Sequence, residues 1–369
     1  MKRRSFLKGA ALSGAAVTAA AASSFPAPAI AQGVRELKMV TSWPKRLPGP
    51  GVQAEVMAER ITELTEGKVQ VKVYAAGELV PAFEVFDAVR TGTADMGHSA
   101  AYYWQGKHKA FNFFTTVPYG LTSTEHYAWV YYGGGQALWD ELGAQFNMKP
   151  FMRGSTGVQM GGWFRKEINS LEDMKGLKMR MPGLGGEVLR NIGVAAVNLP
   201  GGEIFPALQS GTIDATEWVG PWNDLAFGFY KVAKFYYWPG FHEPGTVGEL
   251  TINLDTWNSL TKHQQQIISA VSEAQVAKEV AEWYVNNADS LPVLLNKHKV
   301  QLRQFPDEVM TEIGRVAGEV VAAVAAEDPF TTKVYDSFID FRKKALGWTK
   351  YGEQAFVNAR SLPFKYSKA

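Results

Sequence analysis

At 369 residues, 46% hydrophobic and 20% charged, the chain is globular in composition and longer than one hydrophobic core usually covers, so two lobes are expected. It contains no cysteine, which excludes disulfides, thiolate nucleophiles and Cys-bound zinc or iron–sulfur centres. The formal charge of +2 falls to −2 once Lys2, Arg3, Arg4 and Lys8 leave with a leader, so nothing marks nucleic acid or an anionic membrane as a partner.

Residues 1–31 read as that leader. Arg3-Arg4-Ser5-Phe6-Leu7-Lys8 is a twin-arginine pattern, followed by an Ala-rich run from Ala10 to Ala22 and a small-x-small site, Ala29-Ile30-Ala31. The run is too short and too weakly apolar to span a bilayer. The expectation is a twin-arginine signal peptide cleaved before Gln32, and a periplasmic mature chain.

In the mature chain Leu37–Thr41 reads as a first strand, and Met57, Ile61 and Leu64 recur at helical spacing until Gly67. Val69, Val71 and Val73 alternate with polar residues as a half-buried strand, and a second helix runs from Phe83 to Arg90. Strand, helix, strand, helix is α/β architecture. A short internal echo links Ala88–Met96 with Ala207–Ala215: a helix end, a Gly turn and a strand feeding an exposed aromatic loop. The second loop, Glu217-Trp218-Val219-Gly220-Pro221-Trp222, places a carboxylate and a large aromatic at a strand end, where open α/β sheets bind ligands.

From Thr261 the character changes. Thr261-x-x-Gln264 has capping-box form and opens a long helix through Val285; further helices are expected at Asp307–Ala326 and Thr331–Leu346. The tail beyond Gly347 carries Trp348, Tyr351 and Phe356, aromatic enough to want a partner surface. Catalysis finds little footing. The six histidines show no HxxxH or HxH spacing, and no Gly-x-Ser-x-Gly elbow, phosphate loop or dinucleotide fingerprint is present.

Three runs carry a specific resemblance: Gly157-Val158-Gln159-Met160-Gly161-Gly162-Trp163-Phe164-Arg165, Leu171-Glu172-Asp173-Met174-Lys175-Gly176-Leu177-Lys178-Met179-Arg180, and Thr212-Ile213-Asp214-Ala215-Thr216-Glu217-Trp218-Val219-Gly220-Pro221. The chain resembles the solute-binding receptors of tripartite ATP-independent periplasmic (TRAP) transporters, of the DctP type. Within them it is similar to the branch that binds 2-oxo monocarboxylates such as pyruvate. The resemblance implies a two-lobe α/β fold of the periplasmic-binding type with a hinge and long C-terminal helices. Lobe I would hold 32–155 plus about 246–260. Lobe II would hold 156–245, with part of 261–346 as bracing helices, and 347–369 would form a tail.

The resemblance also implies a site. Arg180 would hold the ligand carboxylate with its forked donors. Gln159, Glu217 and the Trp218 carbonyl would hold a cation bridging protein and ligand, Na⁺ with Ca²⁺ as the alternative, since all are hard oxygen donors. Glu243 is a further candidate ligand; if its carboxylate reaches the site, Ca²⁺ becomes the better match. Tyr102, Tyr103, Trp218 and Trp222 would wall off water, with Tyr103 hydrogen-bonding the ligand. The expected function is capture of a small 2-oxoacid and delivery to the membrane subunits of a TRAP permease, without catalysis. The resemblance further favours a homodimer through C-terminal helices. Competing expectations are a receptor for lactate, ectoine or another organic acid and, more remotely, a secreted hydrolase.

Overall fold

The computed structural model describes residues 33–365, so the expected signal peptide lies outside the described residues. Two sheets organise the chain. The first is built from β1 (Arg35–Thr41), β2 (Val69–Tyr74), β3 (Met96–Ser99), β4 (Met148–Ser155) and a returning strand. The second begins with β5 (Gly162–Phe164), β6 (Lys178–Arg180), β7 (Ala195–Val197), β8 (Ala215–Thr216) and β9 (Phe235–Trp238). The returning strand is β10 (Val247–Asn253), and β11 (Gln301–Gln304) joins the second sheet late.

The first sheet has the order β2-β1-β3-β10-β4, parallel except for β10, which runs antiparallel to both its neighbours. Every residue of β10 is buried, as a strand inserted between two others and covered on both faces must be. The second sheet has the order β11-β9-β5-β8-β6-β7; β5 is antiparallel to its neighbours, and β6 pairs parallel with both β7 and β8.

The helices are, in chain order, α1 (Pro50–Leu64), α2 (Val85–Arg90), α3 (Ser123–Tyr132), α4 (Gly135–Ala144), α5 (Gly183–Asn191), α6 (Gly201–Ser210), α7 (Pro221–Phe227), α8 (Leu254–Ser259), α9 (Lys262–Pro292), α10 (Asp307–Ala325), α11 (Pro329–Thr349) and α12 (Glu353–Arg360). Among the described residues no helix is long and apolar enough to cross a membrane.

Helix α9 contacts elements attached to both sheets. The expected capping box is formed: Thr261 Oγ1 accepts from the Gln264 N–H while the Gln264 side chain accepts from the Thr261 N–H. With 31 residues the helix reaches about 46 Å, enough to run along both sheets. Glu279 meets Arg153 of β4, Glu282 accepts from Gln53 of α1, and Asn287 accepts from the Trp222 N–H of α7. The α10 helix lays Val309, Ile313, Val316 and Val320 against the second sheet, and Val321 and Val324 against the core of the first.

Two local readings change. A strand at 301–304 escaped sequence analysis, because β11 is an edge strand in which Leu302 is only partly buried between polar neighbours. Gly347 does not stop a helix: α11 runs through it to Thr349, and α12 follows.

Candidate functional site

The site begins with strand register. β6 and β8 run parallel with Arg180 opposite Thr216, so Arg180 and Glu217 emerge side by side at the carboxyl ends of neighbouring strands. Gly183 follows with φ +58, and a Cβ there would lie 2.6 Å from the Tyr102 ring. Only glycine suits that left-handed turn pressed against an aromatic.

Arg180 and Glu217 are both fully buried and pair directly, Nη1 to Oε1. The guanidinium also donates through Nε to the Leu199 carbonyl at 3.1 Å, and its Nη2 lies 3.5 Å from the Tyr103 hydroxyl. Its plane covers the Trp218 indole at 5.2 Å. Burial raises the Tyr102 and Tyr103 hydroxyls above the ordinary tyrosine range, so both stay protonated.

Glu217 Oε2 has no hydrogen bond and lies 3.3 Å from His242 Nε2. Glu243 joins them: potential ligand atoms of Glu217, His242 and Glu243 all fall within 4.8 Å of one another, and all three residues are buried. Burial first, and then the neighbouring Glu217 charge, push the Glu243 carboxyl up to about 7. Thr246 donates to Glu243 and accepts from Gln159 Nε2 at 3.1 Å, while Gln159 Nε2 also donates to Thr156 Oγ1 at 3.1 Å. Both amide hydrogens of Gln159 are thereby engaged, and Oε1 is left buried without a partner.

Gln159, Trp218 and Tyr103 line a cavity of about 40 Å³, together with Trp43, Ala100, Tyr102, Thr156 and Thr246. That is room for about three waters, or for a few heavy atoms of a ligand. Orphaned buried oxygens are costly, and oxygens held near further carboxylates suit a hard cation. The residues present therefore fit a sodium or calcium ion: Gln159 Oε1 and Glu217 Oε2 are the unpartnered donors, with Glu243 within reach.

The structure thus brings Arg180, Glu217, Trp218 and Tyr103 together, and ties Gln159 to Glu243 through Thr246. Trp222 is elsewhere: its ring meets Trp283 at 5.0 Å, edge to face, and Trp283 rather than Trp222 lines the cavity. Proline at the first position of α7 starts a helix that turns the Trp222 side chain toward α9. His242, one of six histidines without metal-site spacing, is not singled out by the sequence. Nothing local signals its approach to Glu217, 25 residues away in the chain, which depends on tertiary packing.

Two lobes enclosing a buried cationic side chain beside unpartnered oxygen donors define a receptor for a small anionic solute. Residues 43–328 match the family model of bacterial extracellular solute-binding protein, family 7 (DctP). The chain is 40% identical, over 98% of its length and 99% of the relative's, to a monocarboxylate 2-oxoacid-binding periplasmic protein of Nostoc sp. PCC 7120. Among solved structures it is similar to a TRAP periplasmic solute-binding protein of Pseudoalteromonas atlantica T6c with bound sodium and pyruvate. That match has 38% identity, a TM-score of 0.86 and coverage of 90% of this chain and 100% of that one. A TRAP transporter solute-binding protein of Bordetella bronchiseptica RB50, a mixed-occupancy dimer with calcium and picolinate in one site, matches at 35% identity and TM-score 0.87, covering 89% and 97%. The chain belongs to the DctP family of solute-binding proteins.

Proposed function

We propose that this receptor captures a small 2-oxo monocarboxylate of pyruvate type and hands it to the membrane subunits of a TRAP permease. The observation that carries the reading is the buried pair of a forked cation, Arg180, with Glu217, whose Oε2 is left unpartnered, beside a small cavity that Gln159, Tyr103 and Trp218 line. A 2-oxoacid has two chemically matching ends: a carboxylate for Arg180, and adjacent carboxylate and oxo oxygens that chelate a cation. The relatives that carry pyruvate with sodium, and picolinate with calcium, support the same chemistry, since picolinate also sets a second donor beside its carboxylate.

Gln159 Oε1, Glu217 Oε2, the Trp218 carbonyl and Glu243 would hold the cation. A bound cation supplies positive charge to the ligand's carboxylate and oxo oxygens. Charge counting selects between ions. With Glu217 and Glu243 ionised and one ligand carboxylate against Arg180, two positive charges are needed, as in Ca²⁺; with Glu243 protonated, one suffices, as in Na⁺. Arg180 orients the ligand carboxylate through the Nη edge that now faces Glu217 and Tyr103. Tyr102, Tyr103 and Trp218 keep bulk water away, which strengthens each polar contact.

Export through the twin-arginine leader and a homodimer formed through the C-terminal helices complete the reading. Calorimetric titration of the mature protein with pyruvate, lactate and ectoine, each with sodium or calcium present, tests it. Saturable binding of pyruvate well ahead of the others is expected; ectoine or lactate binding more tightly than pyruvate would overturn the ligand assignment.

A further inference from the structure

The cavity has a charged pole of its own. Arg153 on β4 and Glu279 on α9 form a buried ion pair at 2.6 Å, with side chains 4% and 1% exposed, and both line the same cavity as Gln159 and Trp218. The Arg153 guanidinium lies 5.9 Å from the Trp43 ring, which meets the Trp218 ring at 6.4 Å. The aromatic pair thus borders both cations, Trp43 beside Arg153 and Trp218 beside Arg180.

The pole is built into the backbone. A Cβ on Gly154 would sit 1.5 Å from Glu279 Oε2, and one on Gly248 would sit 2.3 Å from Arg153 Cζ. Glycine weakens strand interiors, so two strands give up side chains to let this pair lie flat against them. The pair is also incompletely served. Arg153 Nε and Glu279 Oε2 have no hydrogen-bond partner, and Trp283 Nε1 faces the carboxylate without closing a well-formed bond.

We propose that Arg153, Glu279 and Trp283 form a specificity subsite that reads the group on C3 of the bound 2-oxoacid and favours a hydroxyl there. The inference rests on the 2-oxoacid reading above. With the carboxylate at Arg180 and the oxo group toward Gln159, the C3 group enters the cavity that Gln159 shares with Arg153, Glu279 and Trp283. A hydroxyl donates to Glu279 Oε2 and accepts from Arg153 Nε–H or Trp283 Nε1–H. A methyl group in its place leaves buried polar atoms unserved, and sites built to hydrogen-bond a substrate discriminate strongly against analogues that cannot. A second carboxylate finds Arg153 already neutralised and meets Glu279 as a like charge.

The test is calorimetric titration of the mature protein in sodium with pyruvate, 3-hydroxypyruvate, 2-oxobutyrate and oxaloacetate. Hydroxypyruvate is expected to bind roughly tenfold more tightly than 2-oxobutyrate, with oxaloacetate weakest. Glu279→Gln should shrink the hydroxypyruvate-to-2-oxobutyrate ratio. The paired change Arg153→Met with Glu279→Leu, which removes both charges together and so spares the fold, should invert it. Equal or tighter binding of 2-oxobutyrate by the native protein, or an unaltered ratio in the paired variant, overturns the subsite; so does oxaloacetate binding best, which would make Arg153 a second carboxylate site. Pyruvate separates the two claims. If it binds and no hydroxyl preference appears, the subsite alone falls; if it fails to bind, the 2-oxoacid reading falls with it.

Discussion

Arg180 is committed on three sides: Nε to the Leu199 carbonyl, Nη1 to Glu217, Nη2 toward Tyr103. A lysine there keeps the charge and loses the fork, so Arg180→Lys is expected to weaken pyruvate binding roughly tenfold to a hundredfold while the protein stays folded. Calorimetry alongside a thermal melt checks this, and an unchanged Kd would remove Arg180 from the site. Glu217→Gln keeps an oxygen near Arg180 and removes a charge. Its expected outcome is a calcium requirement at least about tenfold higher in concentration, read from pyruvate titrations at stepped calcium; an identical calcium response would exclude Glu217 as a ligand. The neighbouring placement of both residues was legible because Arg180 ends β6 and Glu217 directly follows β8, each inside a specific motif. His242 was not, since its 3.3 Å approach to Glu217 is a product of tertiary packing. Trp222 was misread for the complementary reason: it neighbours Trp218 in sequence, but helix α7 points it at Trp283.

Among the elements, β10 shows what a fully enclosed strand can hold. Glu249 is buried within it, accepting from Trp104 Nε1 at 2.9 Å, and burial lifts its carboxyl from the ordinary 4.5 to about 7. Between these two pH values the folded state keeps a proton that the unfolded chain has released, so this residue's contribution to stability falls as pH rises through that window and stays low above it. Glu249→Gln keeps an acceptor for Trp104 and removes the titration. The variant should therefore match the native protein near pH 4.5 and gain on it up to pH 7 and beyond, by on the order of 3 kcal/mol at the upper limit. Urea denaturation at pH 5 and pH 8 measures the difference, and a gap that does not widen with pH would contradict the burial argument. The long helices were readable from capping and periodicity. β11 was not, because its place depends on pairing with β9 at the sheet edge and on Arg303 covering the Phe235 ring, neither of which leaves an alternating pattern.

At the scale of the molecule, α/β alternation and length were enough to anticipate two lobes, while the order of strands within each sheet could not be read, since β10 reaches its place beside β3 and β4 from far along the chain. The C-terminal end stays open to a partner. Every residue of α12 is exposed, and Trp348 and Tyr351 before it are 72% and 74% exposed. Exposed aromatics of that kind support the homodimer proposed above. Ending the chain at Lys350 should therefore convert the proposed dimer to a monomer in light scattering with little change in melting temperature; a dimer that survives truncation would move the interface elsewhere. The central claim is that Arg180 and a cation held by Gln159 and Glu217 grip a 2-oxoacid together. Its most direct test is tryptophan fluorescence of the metal-stripped mature protein, titrated with pyruvate alone, with Na⁺ and with Ca²⁺. Tight saturable binding that requires a cation is the predicted result; equally tight binding without any cation, or none under all three conditions, would contradict it.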